Sequence, residues 1–75
     1  MNKTDEIYKM SLFEQAEIAH IEATEHYELA SDLRADGNEK WLEIDSVAEE
    51  FEAKFESLFE KISALGWDAE YMGIA

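Results

Sequence analysis

Apolar residues recur at alternating intervals of three and four along two stretches of this chain. In the second stretch, Trp41, Ile44, Ala48, Phe51, Phe55, Leu58, Ile62 and Leu65 keep the interval without a break. In the first, Leu12, Ala16, Ala19, Ala23, His26, Ala30 and Leu33 do the same. This spacing puts every member of a run on one face of an α-helix. The tripeptide Asp36-Gly37-Asn38 separates the runs. Laid antiparallel about that turn, Ala30 faces Ile44, His26 faces Ala48, Ala23 faces Phe51, Ala19 faces Phe55, Ala16 faces Leu58 and Leu12 faces Ile62. Mostly, a small side chain meets a large one, which keeps packing density uniform. The pattern predicts an all-α fold, an antiparallel hairpin of two long helices with short elements at both ends.

Punctuation sets the expected boundaries of a single helical domain over 1–75. Ser11 and Glu14 match a capping box, which starts the first helix at 11 and runs it to 36. Extending the heptad backward would put Lys9 and Asp5 on the seam, so 1–10 is expected to be a separate short element or a helix in another phase. Gly37 suits the left-handed conformation that ends a helix, and Asn38 can cap the next, which runs over 39–65. Gly66 suits the same role after it, with Trp67 placed to touch Ile62. In the tail, 66–75, Trp67 and Tyr71 stand four apart, so one helical turn would bring them together. There is no proline to interrupt either helix.

Two helices do not use up the apolar surface. Phe13, Ile18, Ile21, Tyr27 and Leu29 lie off the first seam, and Leu42, Val47 and Phe59 off the second. That many off-seam residues imply a second buried face. Homo-oligomerisation into a helical bundle is the simplest closure. Folding of the termini over the face, or completion by another protein, are the alternatives. Phe13, Ile18, Ile21, Leu29, Phe59, Trp67 and Tyr71 are the candidate interface residues.

Charge narrows the function. Nineteen Asp and Glu oppose six Lys and Arg, giving a net charge of -13 over 75 residues. That field repels nucleic acid and anionic membrane, and attracts basic protein surfaces. About one net negative charge per six residues is more than solubility needs. Glu14, Glu25, Glu28 and Asp32 share the face of the first helix opposite the seam, and Glu43, Glu49, Glu50, Glu56 and Glu60 face outward on the second. Beyond the first turn only Lys54 and Lys61 interrupt the second helix's acidity, and Glu50 can pair with Lys54. A solvated face is the simple account of these acids, and capture of a basic groove is the functional one. At 47% apolar, the chain is no disordered acidic tail. No apolar run reaches the roughly 18 residues of a membrane span, no secretory h-region follows Met1, and there is no cysteine, which suits a reducing cytoplasm.

Candidate chemistry is sparse. Glu17 and His20 form a Glu-x-x-His, the spacing that puts a carboxylate and an imidazole on one metal in di-iron bundles, where Glu49, Glu52 or Glu56 could add ligands. Both fall at the edge of the seam, whereas such ligands must point inward, and a surface histidine bonded to a neighbouring Glu is the simpler account. His26 sits on the seam with Glu22 one turn before it. It is expected to be buried against that carboxylate, or else to act as a pH-sensitive packing switch. No nucleophile arrangement and no glycine-rich phosphate loop is present, so the chain is expected to be non-enzymatic and free of cofactors.

In size, charge and helical content the chain resembles the small acidic inhibitors that phages deploy against host defences, anti-restriction DNA mimics and some anti-CRISPR proteins among them. The resemblance is one of composition over the whole chain and carries no motif. It implies a module that blocks a basic, nucleic-acid-binding partner protein by imitating phosphate charge. The 33–38 segment also resembles the turn of a tetratricopeptide helix pair, but a single copy excludes a repeat array. The alternative function is a structural or adaptor hairpin acting through oligomerisation or helix-in-groove contact, with a metal-binding four-helix bundle more remote.

Overall fold

Residues 3–73 are described by the structure, a computed structural model. The first helix, α1, is Lys3–Ala35, so it begins well before Ser11. The capping box does not form. The Ser11 hydroxyl instead accepts a bond from Gln15 Nε2 at 3.1 Å, one turn on in the same helix. No residue between 3 and 11 breaks a helix, and Asp5 and Glu6 favour its first turn. The heptad therefore continues in phase and carries Lys9 onto the seam, where it is buried. A buried ammonium is tolerable only when paired. Lys9 Nζ donates to Glu6 Oε1 at 3.1 Å and to Glu70 Oε2 at 2.7 Å, and Glu70 lies in the tail.

Gly37, at φ 74°, ends α1. The Asn38 amide bonds the Leu33 carbonyl at 2.9 Å and the Gly37 amide bonds that of Arg34 at 3.1 Å, a Schellman pair. Asn38 then starts the next helix: its Oδ1 accepts the Lys40 amide at 3.0 Å. The first turn is tight, with Trp41 bonding back to Asn38 and Leu42 to Glu39 at 3.2 Å each. Regular helix α2 is Trp41–Ala64. Gly66, at φ 79°, closes it with a second Schellman pair, Trp67 amide to Ile62 carbonyl and Gly66 amide to Ser63 carbonyl, both at 3.0 Å. A single turn, α3, follows over Asp68–Tyr71.

α1 and α2 pack side by side through the expected seam. Leu12, Ala16, Ala19, Ala23 and Ala30 are buried from α1, and Ala48, Leu58 and Ile62 from α2. Leu12, Ala16, Ala19, Leu58 and Ile62 form one cluster, and Phe13, Phe55, Trp67 and Tyr71 pack against it. Phe51 and Ile44 are half-buried. The result is a rod of 52 × 20 × 17 Å with a radius of gyration of 15.5 Å. A globular domain of this length would have about 11 Å. At 1.5 Å per residue α1 outruns α2 by roughly 14 Å, and the tail covers the overhang. Trp67 meets Tyr8 edge-on at 6.2 Å between ring centroids, and Tyr71 meets Phe13 edge-on at 5.2 Å.

Candidate protein-binding surface

The nine carboxylates expected to face outward all do so: Glu14, Glu25, Glu28, Asp32, Glu43, Glu49, Glu50, Glu56 and Glu60 are exposed. They do not form one surface. Helical geometry distributes them over three strips of the rod. Glu14, Glu25, Glu28 and Asp32 lie on the back of α1, away from α2. Glu43 and Glu50 share one flank of α2 with Lys54 and Lys61. Glu49, Glu56 and Glu60 occupy the other flank. Among the described residues none of the nine takes part in an ion pair, and the expected Glu50–Lys54 bridge does not form. At an exposed i, i+4 site such a pair gains little over two solvated charges.

The Glu49 flank is richer than expected. Asp45 and Glu52, absent from the expected binding set, belong to it. Their hallmark in the sequence is the spacing Asp45, Glu49, Glu52, Glu56, Glu60, a run at intervals of four, three, four and four that stays on one strip for four turns. Across the groove stands Tyr27 of α1, whose hydroxyl donates to Glu52 Oε2. That bond, then burial, then the charges of Glu52, Glu49 and Asp45 push the Tyr27 phenol up to about 12. All three carboxylates therefore bear on one hydroxyl. Further along, His20, Ala23, Thr24, Tyr27, Glu52, Phe55 and Glu56 line a shallow cleft of about 300 Å³. Asp45 lies at the turn end of the same groove with Tyr27, Ser31, Arg34 and Trp41, where the Arg34 guanidinium stacks over the Trp41 ring at 4.9 Å.

The seven candidate interface residues separate into two groups. Phe13, Phe59, Trp67 and Tyr71 are half-buried within the chain. Tyr71 contacts Phe13, Phe55 and Phe59 at 5.2, 6.5 and 6.0 Å, and Phe55 stacks on Phe59 at 6.0 Å. Burial, with the Glu17 charge adding to it, raises the Tyr71 phenol. Phe59, one step off the seam, is thus spent on the tail. Ile18, Ile21 and Leu29 remain exposed on the back of α1, joined there by Ile7 and Met10.

The histidines are placed by packing. His20 tilts against Phe55 at 5.2 Å between centroids, while Glu17 faces Tyr71. Among the described residues no group of three His, Asp or Glu side chains converges as a metal site would require. His26 is half-buried on Phe51, at 5.3 Å. Its Nδ1–H donates to the Glu22 backbone carbonyl at 2.7 Å, and the Glu22 carboxylate, the expected partner, stands off at 3.8 Å. The preceding turn's carbonyl lies directly beneath a helical side chain, so it wins over a carboxylate free to reach water. The carbonyl can only accept, which fixes the proton on Nδ1. Among the described residues no helix is long and apolar enough to cross a membrane.

No protein-family model matches this chain, and neither does any curated protein or solved structure. The functional reading therefore rests on the residues themselves.

Proposed function

We propose that this chain is a non-enzymatic, acidic protein-binding module that occupies a basic, nucleic-acid-binding surface of a partner protein and blocks it by imitating phosphate charge. One observation carries this reading: the unbroken strip Asp45, Glu49, Glu52, Glu56 and Glu60 along a stiff helix, with no cation in it. Its carboxylates follow one another every 4.5–6 Å or so along the axis. A net charge of -13 over a 52 Å rod is about one charge per 4 Å. Duplex DNA carries one per ~1.7 Å, and each of its strands one per ~3.4 Å. The rod thus approaches the linear charge density of a single strand, which favours a partner that tracks one backbone. Compositional likeness to the phage anti-restriction and anti-CRISPR inhibitors points the same way.

Capture from the native host followed by a salt titration tests this. Affinity for the captured protein should fall by tenfold or more on passing from low to moderate salt, because exposed charges are screened. Single-stranded DNA or RNA should compete. The triple variant Glu49→Gln, Glu56→Gln, Glu60→Gln should bind more weakly with its helicity intact. Binding indifferent to both salt and nucleic acid would remove the mimic. It would leave the adaptor reading, which the exposed Ile18, Ile21 and Leu29 favour.

A further inference from the structure

The back of α1 carries an ordered stripe that the hairpin does not use. Met10, Glu14, Ile18, Ile21, Glu25 and Leu29 follow one another at intervals of four, four, three, four and four, all on the face turned away from α2. The four apolar members keep 58%, 53%, 44% and 47% of their surface exposed, in that order. The stripe extends about 28 Å, five helical turns. We infer that this face docks a basic amphipathic helix of the partner protein. The inference deepens the function proposed above, on which it rests, by naming the element that the partner supplies.

Charge complementarity selects that occupant over a second copy of the chain. The stripe reads the same in both directions. Two copies of α1 laid antiparallel would match Ile18 with Ile21 and Met10 with Leu29, yet would set Glu14 against Glu25 twice. A parallel pair would set each Glu against itself. Neither Glu has an ion pair among the described residues, and no cation lies in the stripe to relieve them. Each copy would also bring a net charge of -13. A helix with aliphatic residues on its contact face, and Lys or Arg opposite Glu14 and Glu25, buries the same apolar surface and turns each repulsion into a pair.

Two synthetic peptides of about five helical turns test this on the full chain. One has Leu on its contact stripe and Lys on the flanks, and the other keeps every Lys and replaces Leu with Ser. By fluorescence anisotropy the Leu/Lys peptide should bind about tenfold tighter or more than the Ser/Lys peptide. The double variant Ile18→Asp, Ile21→Asp should lose that advantage while its far-UV circular dichroism stays unchanged. That variant is more negative than the parent, so a purely electrostatic contact would strengthen instead. Equal binding of the two peptides overturns the inference and leaves the charge-mimic reading standing. Failure of both peptides overturns the inference too, and the salt titration on the captured partner then decides the charge-mimic reading by itself. A dimer in sedimentation that the double variant dissociates assigns the face to a second copy and overturns the inference as well.

Discussion

On the side of α1 that meets α2, the buried apolar residues are Leu12, Ala16, Ala19, Ala23 and Ala30; on the opposite side, Met10, Ile18, Ile21 and Leu29 stand about half exposed. The helix thus hides mainly alanine and shows its larger aliphatics, the reverse of what burial of apolar area alone would select. α2 shows little of this inversion: Leu42 is exposed, but its buried residues are Ala48, Leu58 and Ile62, and its phenylalanines are half-buried. The two helices divide the work. α2 supplies the volume of the seam, and α1 supplies the room, so close approach rather than area sets the identity of α1's inner residues. Its outer residues are free of that demand, and they are the ones on which the proposed docking of a partner helix rests.

The contrast can be attacked first from the seam. Ile62 is fully buried, and Ile62→Ala should cost ~2–5 kcal/mol, read as a lowered urea midpoint. Overfilling is the next test. Ala16 is fully buried against Leu58, so Ala16→Leu should destabilise by ~1–3 kcal/mol although it adds apolar area. Stabilisation would mean that the seam is not tight and that the alanines are incidental.

The alkaline limb of stability separates ionic fastening from apolar packing. Its Glu70 bond raises the Lys9 ammonium above its usual 10.5 against the pull of burial, with Glu6 adding to it, and Tyr27 sits at about 12 against its usual 10.0. In both cases the folded state holds the proton more tightly than the unfolded chain. Their contributions are therefore complete below about pH 10 and are lost as pH rises through the folded values. Stability should be flat into mild alkali and then fall. Glu52→Gln should bring one tyrosine absorbance titration down from about 12, and Lys9→Met should accelerate amide exchange in α3 while sparing the middle of the seam. The smallest effect belongs to the outer face. Ile18→Ser should change stability by no more than ~0.5 kcal/mol, since an exposed residue away from any cap or bond has little to lose. A cost above 2 kcal/mol would show that the back of α1 is already covered in solution.

Much of the hairpin was legible because its signals are local or periodic. The 3–4 recurrence of Leu12, Ala16 and Ala19 and of Phe55, Leu58 and Ile62 names the faces that meet. Gly37 and Gly66 name the stops, because positive φ is cheap only for glycine. The candidate binding surface was legible less completely. Exposure of the nine acids followed from the seam, but Asp45 and Glu52 join the groove only because Tyr27 crosses to that side. The Ser11 boundary failed for a related reason. A capping box competes with simple continuation of the helix, and continuation won once Lys9 had a counter-charge sixty-one positions away in the tail.

The amino-acid order by itself determined two amphipathic helices, their turn, their antiparallel pairing and a strongly negative exterior, since each follows from spacing or from the nearest few residues. Tertiary structure alone decided that residues 3–10 extend α1, that Lys9 is buried, and that Phe13, Phe59, Trp67 and Tyr71 close over the end of the seam and leave Ile18, Ile21 and Leu29 outside. Those outcomes depend on which distant side chain arrives to fill a space or neutralise a charge, and helical periodicity holds no information about an element that lies beyond its own turn.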